Sequence, residues 1–152
     1  MRKYKVAGFV VVALVALGLG VAQMMSLKKS PPPAPYANVS EALKGALPNF
    51  IPGLGTLYVD PTTLPEGPFL AYDKAGSLVK VVFMVPLKNL NDQKKYVDIG
   101  TKTLRALGIN RWDHVNLIPS GAHPGVNEPH YHIEFVLVSV DQEKKLLEGD
   151  PY

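Results

Sequence analysis

Hydrophobic positions along this chain follow three patterns, each predicting a different kind of element. The first is a run of 22 residues, Val6 to Leu27, without a charge and rich in Val, Leu and Ala. About 20 such residues span a ~30 Å hydrocarbon core as a helix, so the run predicts one transmembrane segment. Arg2, Lys3 and Lys5 precede it, and the positive-inside bias then sets the N-terminus in the cytoplasm and the rest of the chain outside. Lys28 and Lys29 on the other flank reduce that asymmetry. The competing expectation is a cleaved signal peptide, with small residues at Gly20 and Ala22 for processing; the full length of the run favours retention, because secretory apolar regions span about 7–15 residues. Residues Lys28 to Pro35 carry four prolines and predict an extended polyproline II spacer. The expected organisation is therefore an anchor over 1–27, a linker over 28–37 and one domain over 38–152.

The second pattern is alternation. Gly55 to Val59 reads as a strand, and Asp60 to Gly67, with two prolines, as a loop. Phe69 to Tyr72 and Leu78 to Val85, joined by Asp73-Lys74-Ala75-Gly76, read as a hairpin. His114 to Ile118 and Tyr131 to Val140 supply two more strands around a loop rich in Gly, Pro and Asn. The third pattern is helical: a short helix over Ser40 to Leu47, an amphipathic one over Leu90 to Leu107 with Tyr96, Ile99, Leu104 and Leu107 on its apolar face, and a last turn over Gln142 to Leu147. The fold class expected is α+β, with one N-terminal transmembrane helix followed by a small antiparallel or mixed sheet covered by one or two helices.

Charge changes the picture once it is located. The net charge is +3, but five of the 16 basic residues flank the apolar run, leaving 11 basic and 13 acidic residues from Tyr36 onward. A nucleic-acid partner is not expected for such a domain. The chain has no cysteine, which excludes disulfides, thiolate metal ligands and a cysteine nucleophile. No glycine-rich phosphate loop follows a strand and no serine nucleophile elbow is present. Asn38-Val39-Ser40 matches a glycosylation acceptor, a short pattern of little weight, and Met24 and Met25 at the end of the apolar run read as lipid-facing bulk.

Candidate chemistry is concentrated near the last strand, where three of the four histidines lie within ten residues: His123, His130 and His132. Alternate residues of a strand share a face, so His130, His132 and Glu134 form one row. The turn residues of the Gly121 to Pro129 loop allow His123 to return towards the start of that strand. His123, His130, His132 and Glu134 are thus the candidate ligands of one transition metal ion, whether zinc, copper, iron, nickel or manganese. A metal-free proton-transfer site and an ordinary solvated sheet face are the competing readings of the same row. His114, beside Asp113, reads as a structural histidine paired to its neighbour.

Gly125 followed by His130 and His132 on a strand resembles the opening of the cupin metal motif, whose β-barrel holds iron, manganese, nickel or zinc through histidines and a glutamate. Val136 stands where cupins place that glutamate, and no later histidine follows. A second resemblance covers more of the chain. Gly55-Thr56-Leu57-Tyr58, a strand-turn-strand ending near Pro86, and Pro129-His130-Tyr131 are similar to an uncharacterised group of small bacterial proteins whose closing strand reads Pro-His-aromatic-Asp-aromatic-His. His132 occupies the Asp position and Glu134 the last His position, and the resemblance implies a shared fold with a shared polar row.

Three functional readings follow. The first is a membrane-anchored extracytoplasmic accessory or binding domain, with the membrane and other subunits of a membrane complex as partners. The second is a small metal-dependent enzyme using the same histidines, and the third is a purely structural subunit.

Overall fold

A computed structural model describes residues 27–149. They form a six-stranded antiparallel sheet in the order β1-β2-β3-β4-β6-β5. The strands are β1 (Ala37–Asn38), β2 (Thr56–Val59), β3 (Phe69–Tyr72), β4 (Leu78–Pro86), β5 (His114–Ser120) and β6 (His130–Val136). Four short helices accompany them: α1 (Val39–Ala42), α2 (Leu87–Asn91), α3 (Thr101–Ala106) and α4 (Val140–Leu146). The expected hairpin is present as β3 and β4, where the Asp73 side chain accepts the Ser77 amide at 2.8 Å and Gly76 takes φ 74°. Only a residue at ease with positive φ closes such a turn.

Alternation along the strands divides the side chains between two covered faces. One buries Leu70, Tyr72, Val81 and Phe135 with Leu104, Leu107 and Ile109 from α3 and the chain after it. The other buries Leu57, Val59, Phe69, Val82 and Met84 beneath Val39 of α1 and Leu43, Leu47, Ile51 and Leu54 of the loop that follows. The second face also carries β6 residues 130, 132 and 134, because the antiparallel register sets Met84 opposite His132 and Val82 opposite Glu134.

Two expectations are corrected. Among the described residues no helix is long and apolar enough to cross a membrane. The expected span over residues 6–27 lies outside them except for Leu27, and Leu27 is not lipid-facing: its side chain is buried in the core and its carbonyl accepts the Tyr72 hydroxyl at 2.8 Å. The transmembrane fold class, the single-pass anchor and the extracytoplasmic location built on that span are withdrawn. The residues after Leu27, expected as a free proline-rich spacer, run against the β3–β4 turn. The Ser30 amide donates to the Gly76 carbonyl at 2.8 Å, and the Leu78 amide to that of Lys28 at 3.1 Å.

The amphipathic helix expected over 90–107 is also absent as one piece. α2 starts earlier and stops at Asn91, and α3 starts at Thr101. Between them Gln93, Asp98 and Gly100 adopt left-handed φ of 58°, 58° and 82°, which no continuous right-handed helix accommodates. The helix expected over 40–47 is the shorter α1, capped by the Asn38 side chain. The last helix is longer than expected because Ser139 and Gln142 form a capping box.

One buried cation ties these parts together. Lys80, in the otherwise apolar β4, is 0% exposed and donates to Glu134 Oε2 at 2.8 Å, Glu143 Oε1 at 2.9 Å and the Gly53 carbonyl at 2.9 Å. It thereby joins β4, β6, α4 and the loop before β2 at one point. Removing one member of a buried ion network leaves uncompensated charge, at about 3–5 kcal/mol. Lys80→Met should lose that much stability in denaturant unfolding, and combining it with Glu134→Leu and Glu143→Leu should recover most of it. A Lys80→Met protein as stable as the parent would show that the network does not hold the fold.

Candidate metal centre

The site is built from β6 and the turn that precedes it. His130 and His132 share a face of β6 and are 1% and 6% exposed, so a solvated sheet face does not describe them. His123 reaches them through a tight turn, His123-Pro124-Gly125-Val126. The His123 amide donates to the Val126 carbonyl and the Val126 amide to the His123 carbonyl, both at 2.9 Å. Proline at the second position and glycine with φ 89° at the third are what a type II turn requires.

The three rings converge through their Nε2 atoms. His130 Nε2 lies 3.2 Å from His123 Nε2 and 3.0 Å from His132 Nε2. One nitrogen from each ring lies within 4.8 Å of the other two, close enough for the three to hold one ion. Their second nitrogens select the tautomer that two of the rings take when neutral. His130 Nδ1 lies 2.9 Å from the Glu128 carbonyl and His123 Nδ1 lies 3.0 Å from the Pro124 carbonyl. A carbonyl oxygen only accepts, so each Nδ1 carries the hydrogen, and the neutral ring presents a bare lone pair at Nε2. Two lone pairs that face each other at 3.2 Å repel unless a cation lies between them. The separations are close to the ~3.3 Å edge of a tetrahedron of nitrogens around zinc at ~2.05 Å. An Nδ1–H held by a backbone carbonyl is also the usual support of a metal-bound imidazole.

Burial first, then the neighbouring His130, His123 and Lys80, push the His132 pKa down to about 4. That ring is uncharged at neutral pH, as a ligand must be.

Glu134, the fourth expected ligand, belongs elsewhere. It stands in the same row but its Oε2 is taken by Lys80 at 2.8 Å, with Asn116 Nδ2 at 3.4 Å, and it is not among the residues that converge. Burial raises its pKa, an effect that Lys80 opposes. Its Oε1 is buried without a hydrogen-bond partner. His114 pairs with Asp113 through Nδ1 at 2.9 Å and reaches Glu143 through Nε2 at 3.1 Å, placing it in the charge network. Lys80 and Glu143 were not singled out from the sequence; the available signal for Lys80 was a lone charge within Val79 to Val85.

An apolar cavity of about 290 Å³ opens beside the histidines, lined on one side by His123 and His132 and elsewhere by α1, the loop after it and the sheet face.

The crystal structure of a hypothetical protein from Thermus thermophilus, TTHB210, matches this chain with 86% sequence identity and a TM-score of 0.61, over 71% of this chain and 99% of that one. The chain belongs to the family of that protein. The relative is described as hypothetical, so the match carries family and fold and no activity. No protein-family profile and no curated protein matches the chain.

The lowered His132 pKa has a consequence for stability. An unfolded chain protonates imidazole near pH 6.5 and the folded ring only near 4, so the fold loses stability as pH falls from about 6.5 towards 4. The loss attributable to this ring is on the order of 3 kcal/mol at the acid end, at about 1.4 kcal/mol per pKa unit. With chelator present, the unfolding midpoint should fall more between pH 7.5 and 4.5 for the parent than for His132→Gln. Equal falls would contradict the assignment.

Proposed function

We propose that this protein is a metal-binding domain that holds one transition metal ion through the Nε2 atoms of His123, His130 and His132. The observation that carries this reading is the pair of backbone-held Nδ1–H groups, which turn bare nitrogens of His123 and His130 towards each other at 3.2 Å. Three neutral imidazoles suit zinc, and also copper, nickel, iron or manganese. A shared proton would also relieve the repulsion, and that metal-free arrangement is the outcome the metal titration distinguishes.

A second reading is favoured by the cavity beside the histidines. Three protein ligands leave a fourth position, as in catalytic zinc sites. A small metal-dependent enzyme acting on a molecule bound in that cavity fits the same residues.

Zinc titrated calorimetrically into metal-free full-length protein at pH 7.5 should bind at one ion per chain. His130→Ala and His132→Ala should each weaken binding tenfold or more, while His114→Ala leaves it within about twofold. Because imidazolium does not ligate, affinity should also fall as the solution is acidified from pH 7.5. Zinc binding that is absent, or unchanged in the His130 and His132 variants, would overturn the proposal.

A further inference from the structure

The cavity has a chemical polarity of its own. Its wall is built from apolar residues such as Val39, Leu47, Leu57, Val59, Phe69 and Met84, and its polar side chains are confined to Ser120, His123 and His132. Leu64, 50% exposed, also lines it. An apolar cavity of ~150 Å³ takes up benzene, so about 290 Å³ accommodates roughly ten to twelve non-hydrogen atoms. Such a shape fits a chain and one head, with the head at the histidine end.

We propose that the cavity binds an aliphatic monocarboxylate of about eight to ten carbons, its chain against Val59, Phe69 and Met84 and its carboxylate on the metal ion held by the three histidines. This rests on the metal reading above. The chemistry of the head follows from the surroundings. Within the cavity, an ion bound by three neutral imidazoles keeps its full positive charge, and an anionic oxygen is the donor that completes a tetrahedral set. Without the ion, the cavity wall offers a carboxylate no lysine or arginine and only Ser120, His123 and His132 as polar side chains, so burying that head is unfavourable. The chain supplies affinity through burial, at about fourfold per methylene.

The test uses the full-length protein, metal-free and zinc-loaded, titrated with acetate, hexanoate and decanoate at pH 7.5, with zinc content measured in the same samples. Zinc-loaded protein should bind decanoate at 1:1 and at least a hundredfold more tightly than acetate, and metal-free protein should bind decanoate at least tenfold more weakly. Val59→Trp, which fills the cavity, should retain zinc and lose the dependence on chain length; the wild-type series stands alone if that variant does not fold. Zinc uptake with decanoate binding no tighter than acetate would overturn the ligand assignment and leave the metal reading intact. Equal decanoate affinity with and without zinc would overturn the placement of the head. Failure to take up zinc would overturn the metal reading and this inference with it.

Discussion

A buried polar side chain must find a partner, and β6 buries three in a row. Strand alternation turns His130, His132 and Glu134 to the same covered face, where water is not the partner. The rest of this face is arranged around that constraint. Glu134 is met by Lys80, and Lys80 in turn fixes Glu143 of α4 and the carbonyl of Gly53. His130 and His132 are met by each other and by His123, brought back by the Pro124-Gly125 turn. One strand therefore organises two adjacent polar centres of different character.

The two centres influence each other. Lys80 uses its donors on two carboxylates and a carbonyl, which removes Glu134 from the ligand set that strand geometry alone suggests. The positive charge of Lys80 also disfavours protonation of His132, adding to the effects of burial and of the other two rings. The result is a charged network at one end of the row and three converging imidazole nitrogens at the other. Neutral imidazole is the form that ligates a metal. The apolar covering of this face, from α1 and the loop after it, also forms the cavity wall.

Much of this was legible in the residues. The β3–β4 hairpin could be read from its alternation and its Asp-Lys-Ala-Gly turn, and the His130–His132–Glu134 row from a period of two. The return of His123 was allowed by the turn residues of the Gly121 to Pro129 loop, without the turn at Pro124 and Gly125 being specified. The parts that could not be read depend on contacts between distant segments. Apolar positions at 96, 99, 104 and 107 fit a helical period without revealing the left-handed residues that break it. Hydrophobicity alone assigns Leu27 to a membrane span, whereas the fold places it against Tyr72. Glu134 and the histidines are equivalent in strand geometry, and only Lys80, 54 residues away, distinguishes them. The cavity is likewise formed by residues spread from Val39 to His132.

The central claim is that three imidazoles are turned through Nε2 towards one cation. A crystal of full-length protein grown with one equivalent of zinc, measured on both sides of the zinc absorption edge, tests it directly. The account predicts a single anomalous peak bonded to Nε2 of His123, His130 and His132 at about 2.0–2.1 Å, with Glu134 still on Lys80. A peak elsewhere, a site that recruits Glu134, or histidines without an anomalous peak would contradict it.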